Sequence, residues 1–121
     1  MGRITGSCHC GAVRFKLADT PQWLTRCNCS MRRRIGALWA HAEVDKIKIF
    51  AGDGATVRYI WGDRTLAFHT CRTCGCTSHW ESLDPARYNR MAVNCNLAGP
   101  KDIAGLRIRQ FDGAGSWQYL D

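Results

Sequence analysis

The sequence predicts a mainly-β fold, a single domain of short antiparallel strands around a four-cysteine zinc site. Three observations lead there. Apolar and polar residues alternate at period two through much of the chain, and Gly, Asp and Pro signals interrupt the alternation every few residues. Two paired cysteine motifs also stand about sixty residues apart with metal-ligand spacing. No long apolar stripe at helical spacing competes with this pattern.

In chain order, "AVRFKLA" places Val13, Phe15 and Leu17 on one strand face and Arg14 and Lys16 on the other. A short helix is expected to begin at Ser30, a competent N-cap, and to run through "MRRRIGA" to Gly36. "KIKIFAG" alternates through Ile47 and Ile49, and "TVRYIWGD" through Val57, Tyr59 and Trp61. "TLAFHTC", "TSHWES" and "RMAVNC" read as further strands, with turns at "GDG", "WGDR" and "LDPA" between segments. No linker or composition shift divides residues 1–121, so one domain is expected.

Eight cysteines in 121 residues need an explanation. No apolar run of signal-peptide or membrane-span length occurs, which makes a soluble cytoplasmic protein the expectation. In a reducing compartment such a cysteine density argues for metal ligation or thiol chemistry over a disulfide framework. The formal charge is +7, and one four-thiolate zinc site would bring it to about +5. An anionic ligand is therefore expected, whereas basicity alone is weak support for nucleic acid.

"CHCG" and "CRTCG" read as two halves of one tetrahedral site formed by Cys8, Cys10, Cys71 and Cys74. The Gly after each motif lets backbone N–H groups approach the thiolates. One zinc there would close a loop of about sixty residues and contribute directly to folding. The alternatives are a reversible disulfide at the Cys-x-x-Cys and plain buried cysteines. Cys76 and Cys95 are read as small buried residues.

With these motifs stands "RCNCSMRRR", and the three cysteine motifs occur in a familiar order. "GSCHCGAVRF", "CNCSMRRRIGA", "AFHTCRTCG" and the late Trp117 resemble the glutathione-dependent formaldehyde-activating (GFA) family from Gly6 to about Trp117. The resemblance implies a β-tent fold with two zinc sites. The structural one falls on Cys8, Cys10, Cys71 and Cys74. The catalytic one is a Cys-x-Cys-x-x-Cys run that accepts the sulfur of glutathione and promotes its addition to formaldehyde. The implied activity is that of a carbon–sulfur lyase making S-hydroxymethylglutathione.

The chain departs from that pattern at one position. Cys27 and Cys29 match the first two catalytic ligands, but Arg32 stands where the third cysteine belongs. A zinc with two thiolates and an arginine is two charge units more positive than one with three thiolates. The second zinc is thus expected to be weakly held or absent, and the arginines to favour thiolate at Cys27 and Cys29. Cys76, Cys95, His69 and His79 are the groups chemically able to complete the site. Arg32 is the candidate substrate-binding residue, through a bidentate contact to a carboxylate of a small thiol such as glutathione. Glu81 and His79 are the acid–base candidates. The competing class is a catalytically retired, zinc-stabilised binding module with a basic surface for nucleic acid or an acidic protein.

Overall fold

The computed structural model describes residues 3–121. Ten strands follow one another in two sheets: β1 (Ile4–Ser7), β2 (Val13–Leu17), β3 (Trp23–Cys27), β4 (Trp39–Ala42), β5 (Ile47–Ala51), β6 (Thr56–Tyr59), β7 (Leu66–Cys71), β8 (Thr77–Ser82), β9 (Met91–Asn94) and β10 (Arg107–Phe111). Two short helices, α1 (Ser30–Ile35) and α2 (Pro100–Ile103), interrupt them. None of the described helices is long and apolar enough to cross a membrane.

The smaller sheet has the order β1-β2-β5 and the larger β10-β3-β4-β9-β8-β7-β6. Every pairing is antiparallel except one: β10 runs parallel to β3, from Arg107 opposite Trp23 to Phe111 opposite Cys27. This corrects the all-antiparallel expectation. A hairpin forces its strands antiparallel, whereas β10 returns to β3 only after most of the chain has been laid down.

The alternation in β2 does what it predicts: Val13, Phe15 and Leu17 are buried while Arg14 is exposed. Phe15 and Leu17 pack with Ile4 and Ile47 of the small sheet against Trp39, Phe68, Trp80 and Val93 of the large one. The core therefore lies between the sheets. The same alternation misleads in β6. Val57, Tyr59 and Trp61 are 46%, 51% and 37% exposed, because β6 is the edge strand and nothing covers that face. Trp61 also lies beyond the end of the strand.

Helix α1 starts one residue earlier in function than expected. Its N-cap is Cys29, whose sulfur accepts the backbone N–H of Arg32; Ser30 is already the first helical residue. Gly36 ends it in the left-handed conformation at φ 71°, donating its N–H to the Arg32 carbonyl.

Candidate metal centre and cysteine cleft

Cys8 and Cys10 follow β1, and Cys71 and Cys74 form the turn after β7, so the two halves come from different sheets. The four sulfurs all lie within 4.8 Å of one another. Cys8 Sγ is 3.7 Å from Cys10 Sγ, which is 3.6 Å from Cys71 Sγ. A tetrahedron of thiolates about 2.3 Å from a central ion has edges of about 3.8 Å, so the spacing suits a metal ion. Gly11 and Gly75, each directly after a cysteine pair, have φ of 84° and 81°. Any side chain there would strain the turn.

Backbone donors complete the cradle. The N–H of Val13 reaches Cys8 Sγ at 3.3 Å and that of Cys74 reaches Cys71 Sγ at 3.5 Å. The Cys76 and Cys10 backbone N–H groups draw the Cys74 thiol down to about 5. The Ala12 N–H pulls Cys10 the same way, yet burial and the neighbouring sulfurs push it up to about 11. Four sulfurs this close resist joint ionisation unless a cation sits among them.

Cys76 contributes through its backbone: its carbonyl accepts the Cys71 N–H at 2.8 Å. Its sulfur lies outside the four-cysteine cluster. Cys95 is fully buried, and burial pushes its thiol up to about 12. It is an inert core residue.

Cys27 ends β3 and Cys29 caps α1. Both are buried, at 6% exposure each. Cys29 Sγ accepts two bonds from Arg32, from the backbone N–H at 3.3 Å and from Nη1 at 3.5 Å. The Arg32 guanidinium also stacks on Phe68 and Trp80, 5.2 and 5.6 Å from their ring centres. Burial raises the Cys29 thiol, but these Arg32 bonds and charge prevail, and its net displacement is downward. Burial raises the Cys27 thiol, and the Cys29 charge adds to it. Among the described residues, no third Cys, His, Asp or Glu joins this pair in a ligand cluster. The groups expected to complete a metal site therefore do not converge on it.

A C-terminal loop closes over the pair. A Cβ on Gly113 would lie 2.7 Å from Cys27 Sγ and 3.1 Å from Cys29 Cβ, so only glycine fits. Asn28, between the two cysteines, anchors this loop by donating to Asp112 Oδ1 at 2.9 Å and accepting from the Ala114 N–H at 2.9 Å.

The two thiols open into different spaces. Cys29 lines a cleft of about 1240 Å³ with Arg32, Arg33, Arg64, Arg87 and Trp117. Arg64 and Trp117 both have φ of 60°, strained for residues with side chains, and they are the only non-glycine residues described with positive φ. Cys27 lines an inner cavity of about 340 Å³ with Arg32, His41, Trp80, Arg90 and Tyr119. No Asp or Glu lines that cavity. Burial, then Arg90 and Arg32, push His41 down to about 3, so it is neutral there. Arg34 turns away from both spaces, donating to the Ser30 carbonyl at 2.6 Å.

The suggested acid–base residues are elsewhere. On β8, Trp80 faces Arg32, and its neighbours His79 and Glu81 line a separate cavity with His69. There His69 stacks on His79 at 4.4 Å and bonds to Glu81 and Thr56. Burial and His69 push His79 down to about 3. The unfolded imidazole titrates near 6.5, so between those values the unfolded chain holds the extra proton. Acid should therefore destabilise the fold from about pH 6.5 downward, by up to about 1.4 kcal/mol per pH unit from this group. Thermal melts at pH 7, 6 and 5, with and without His79→Gln, measure its share; identical pH slopes would contradict it.

Sequence reasoning missed Gly113, Phe68, Arg64 and Arg87. Phe68 lies in "AFHTCRTCG" and Arg64 in the turn "WGDR", but nothing local marks any of the four as a site residue; each lines the cleft or touches the cysteine pair or Arg32 from a distant segment. Asn28 alone carried a signal, as the residue enclosed by Cys-x-Cys.

The sequence pattern of the family described as glutathione-dependent formaldehyde-activating enzyme matches residues 3–103. A solved structure of a Rhodobacter sphaeroides protein, a structural-genomics target, superposes with a TM-score of 0.69 at 30% identity. The match covers 86% of this chain and 98% of that one. The match over most of the chain, together with the shared fold, shows that this protein belongs to the glutathione-dependent formaldehyde-activating enzyme family.

Proposed function

We propose that the cleft beside Cys29 binds glutathione or a related anionic thiol and makes or breaks a carbon–sulfur bond at it. The observation that carries this reading is Cys29, paired to Arg32, at a cleft lined by four arginines and two aspartates. Glutathione carries two carboxylates and a net negative charge at neutral pH. Guanidinium groups hold carboxylates by paired N–H donors, and among the described residues Arg33, Arg64 and Arg87 have no ion-pair partner. Trp117 adds an aromatic wall to the same cleft.

In this reading the ligand's thiol gives its proton to water, its sulfur attacks a carbonyl carbon to form an S–C bond, and the C=O π pair moves to oxygen, which is protonated from water. The reverse step releases the aldehyde. Arg32 steadies negative charge on sulfur or oxygen near the floor of the cleft. Cys8, Cys10, Cys71 and Cys74 would hold a zinc ion as a four-thiolate set, which would supply folding energy and leave the substrate to the Cys29 cleft.

Titration with glutathione should give saturable NMR shifts at Cys29, Arg87 and Trp117 that weaken severalfold in Arg87→Ala and Cys29→Ala. Spectra unchanged at millimolar glutathione would rule the reading out.

A further inference from the structure

We infer that Arg32 takes the place of the second metal, making Cys29 a guanidinium-paired nucleophile that reacts directly with small aldehydes. The residues at this site do not suit a metal ion. Cys27 and Cys29 gather no third ligand among the described residues. The cation already at Cys29 is Arg32 Nη1, 3.5 Å from the sulfur. A zinc bound to that sulfur at about 2.3 Å would lie close to the guanidinium and be repelled by it. Arg32 is not poised to leave, because its guanidinium packs on the Phe68 and Trp80 rings, 5.2 and 5.6 Å from their centres.

The surroundings also separate the two thiols by role. Cys29 faces the large cleft, where a reactant can approach. Cys27 faces the smaller cavity and is crowded by Gly113. Arg32 lines both spaces and stands between them. Cys29 is therefore the thiol that meets the reactant.

The step is self-contained. The Cys29 sulfur donates an electron pair to the aldehyde carbon and an S–C bond forms. The C=O π pair moves to oxygen, which takes one proton from water, giving a cysteine-bound hemithioacetal. Reversal returns the thiolate and the aldehyde, and no oxidant or reductant is consumed. This inference does not need the glutathione reading, since Cys29 itself supplies the sulfur.

Metal counting and thiol mapping test it on the intact chain. The wild-type protein should carry one zinc, and iodoacetamide should alkylate Cys29 about tenfold faster than Cys27 at pH 7. Arg32→Gln should slow Cys29 alkylation about tenfold, while Arg32→Lys keeps most of the rate. Arg32→Cys completes a Cys-x-Cys-x-x-Cys set and should raise the count to two zincs, with Cys29 protected until a chelator is added. Carbon-13 formaldehyde should give a hydroxymethyl-cysteine signal that Cys29→Ser abolishes. If Arg32→Gln does not fold, the Cys29-to-Cys27 rate ratio in the wild type still decides. Two zincs in the wild type, equal alkylation rates, or no formaldehyde signal would overturn the inference. Failure of glutathione to bind would leave these readouts unchanged and count only against the proposed function.

Discussion

Cys71→Ser should leave the chain without metal and largely unfolded at 25 °C. Cys71 is 1% exposed, lies 3.6 Å from Cys10 Sγ, and accepts the Cys74 N–H. Its cluster joins the turn after β1, in the small sheet, to the end of β7, in the large one. Losing a metal held there would therefore remove a bond between the layers as well as a local turn. Structural zinc contributes an apparent 10–16 kcal/mol or so in small domains at neutral pH. A chain of this size has only about 5–15 kcal/mol of net stability, so the loss is decisive. Circular dichroism and zinc analysis check it, with Cys76→Ser as the control because that sulfur lies outside the cluster. A folded, metal-free Cys71→Ser with native melting behaviour would refute the structural role.

Trp80→Ala should cost about 3–5 kcal/mol, the range for deleting a buried aromatic side chain. That corresponds to a fall in melting temperature of roughly 10–20 °C. Trp80 is 1% exposed, packs in the core, and supports Arg32 from below. The substitution should therefore also loosen Arg32 from Cys29 and slow alkylation of that thiol. Trp80→Phe separates the two contributions. Among the described residues the Trp80 indole N–H has no hydrogen-bond partner, so phenylalanine loses ring area without losing a bond to them. It should keep most of the stability and some of the stacking. A Trp80→Ala protein that melts within a few degrees of the wild type would show that this ring is not a core support.

The elements differ in how much of them was legible. β2 was read correctly face by face because the large sheet packs over the face that carries Phe15 and Leu17. β6 carries the same alternation yet leaves Val57 and Tyr59 exposed, since a pattern reports which residues share a face and says nothing of what covers it. Helix α1 was found with its Gly36 stop, but the cap shifted to Cys29 because a thiol can accept the N–H that Ser30 was expected to take. The parallel approach of β10 to β3 had no local signature at all.

The sequence by itself determined the short-strand character, the pairing of Cys8 and Cys10 with Cys71 and Cys74, and the arginine in place of a ligand. The first two follow from spacing and side-chain chemistry, which are properties of neighbouring residues; that Arg32 stands in a ligand's place is implied only by the resemblance to the family pattern. Only the tertiary structure decided that Cys27 and Cys29 open into separate spaces, that Phe68 and Trp80 hold Arg32 on the Cys29 sulfur, and that Gly113 closes over Cys27. Those facts are contacts between residues 36 to 86 positions apart. Such contacts arise when two sheets pack around a shared core, and no local pattern in the chain encodes them.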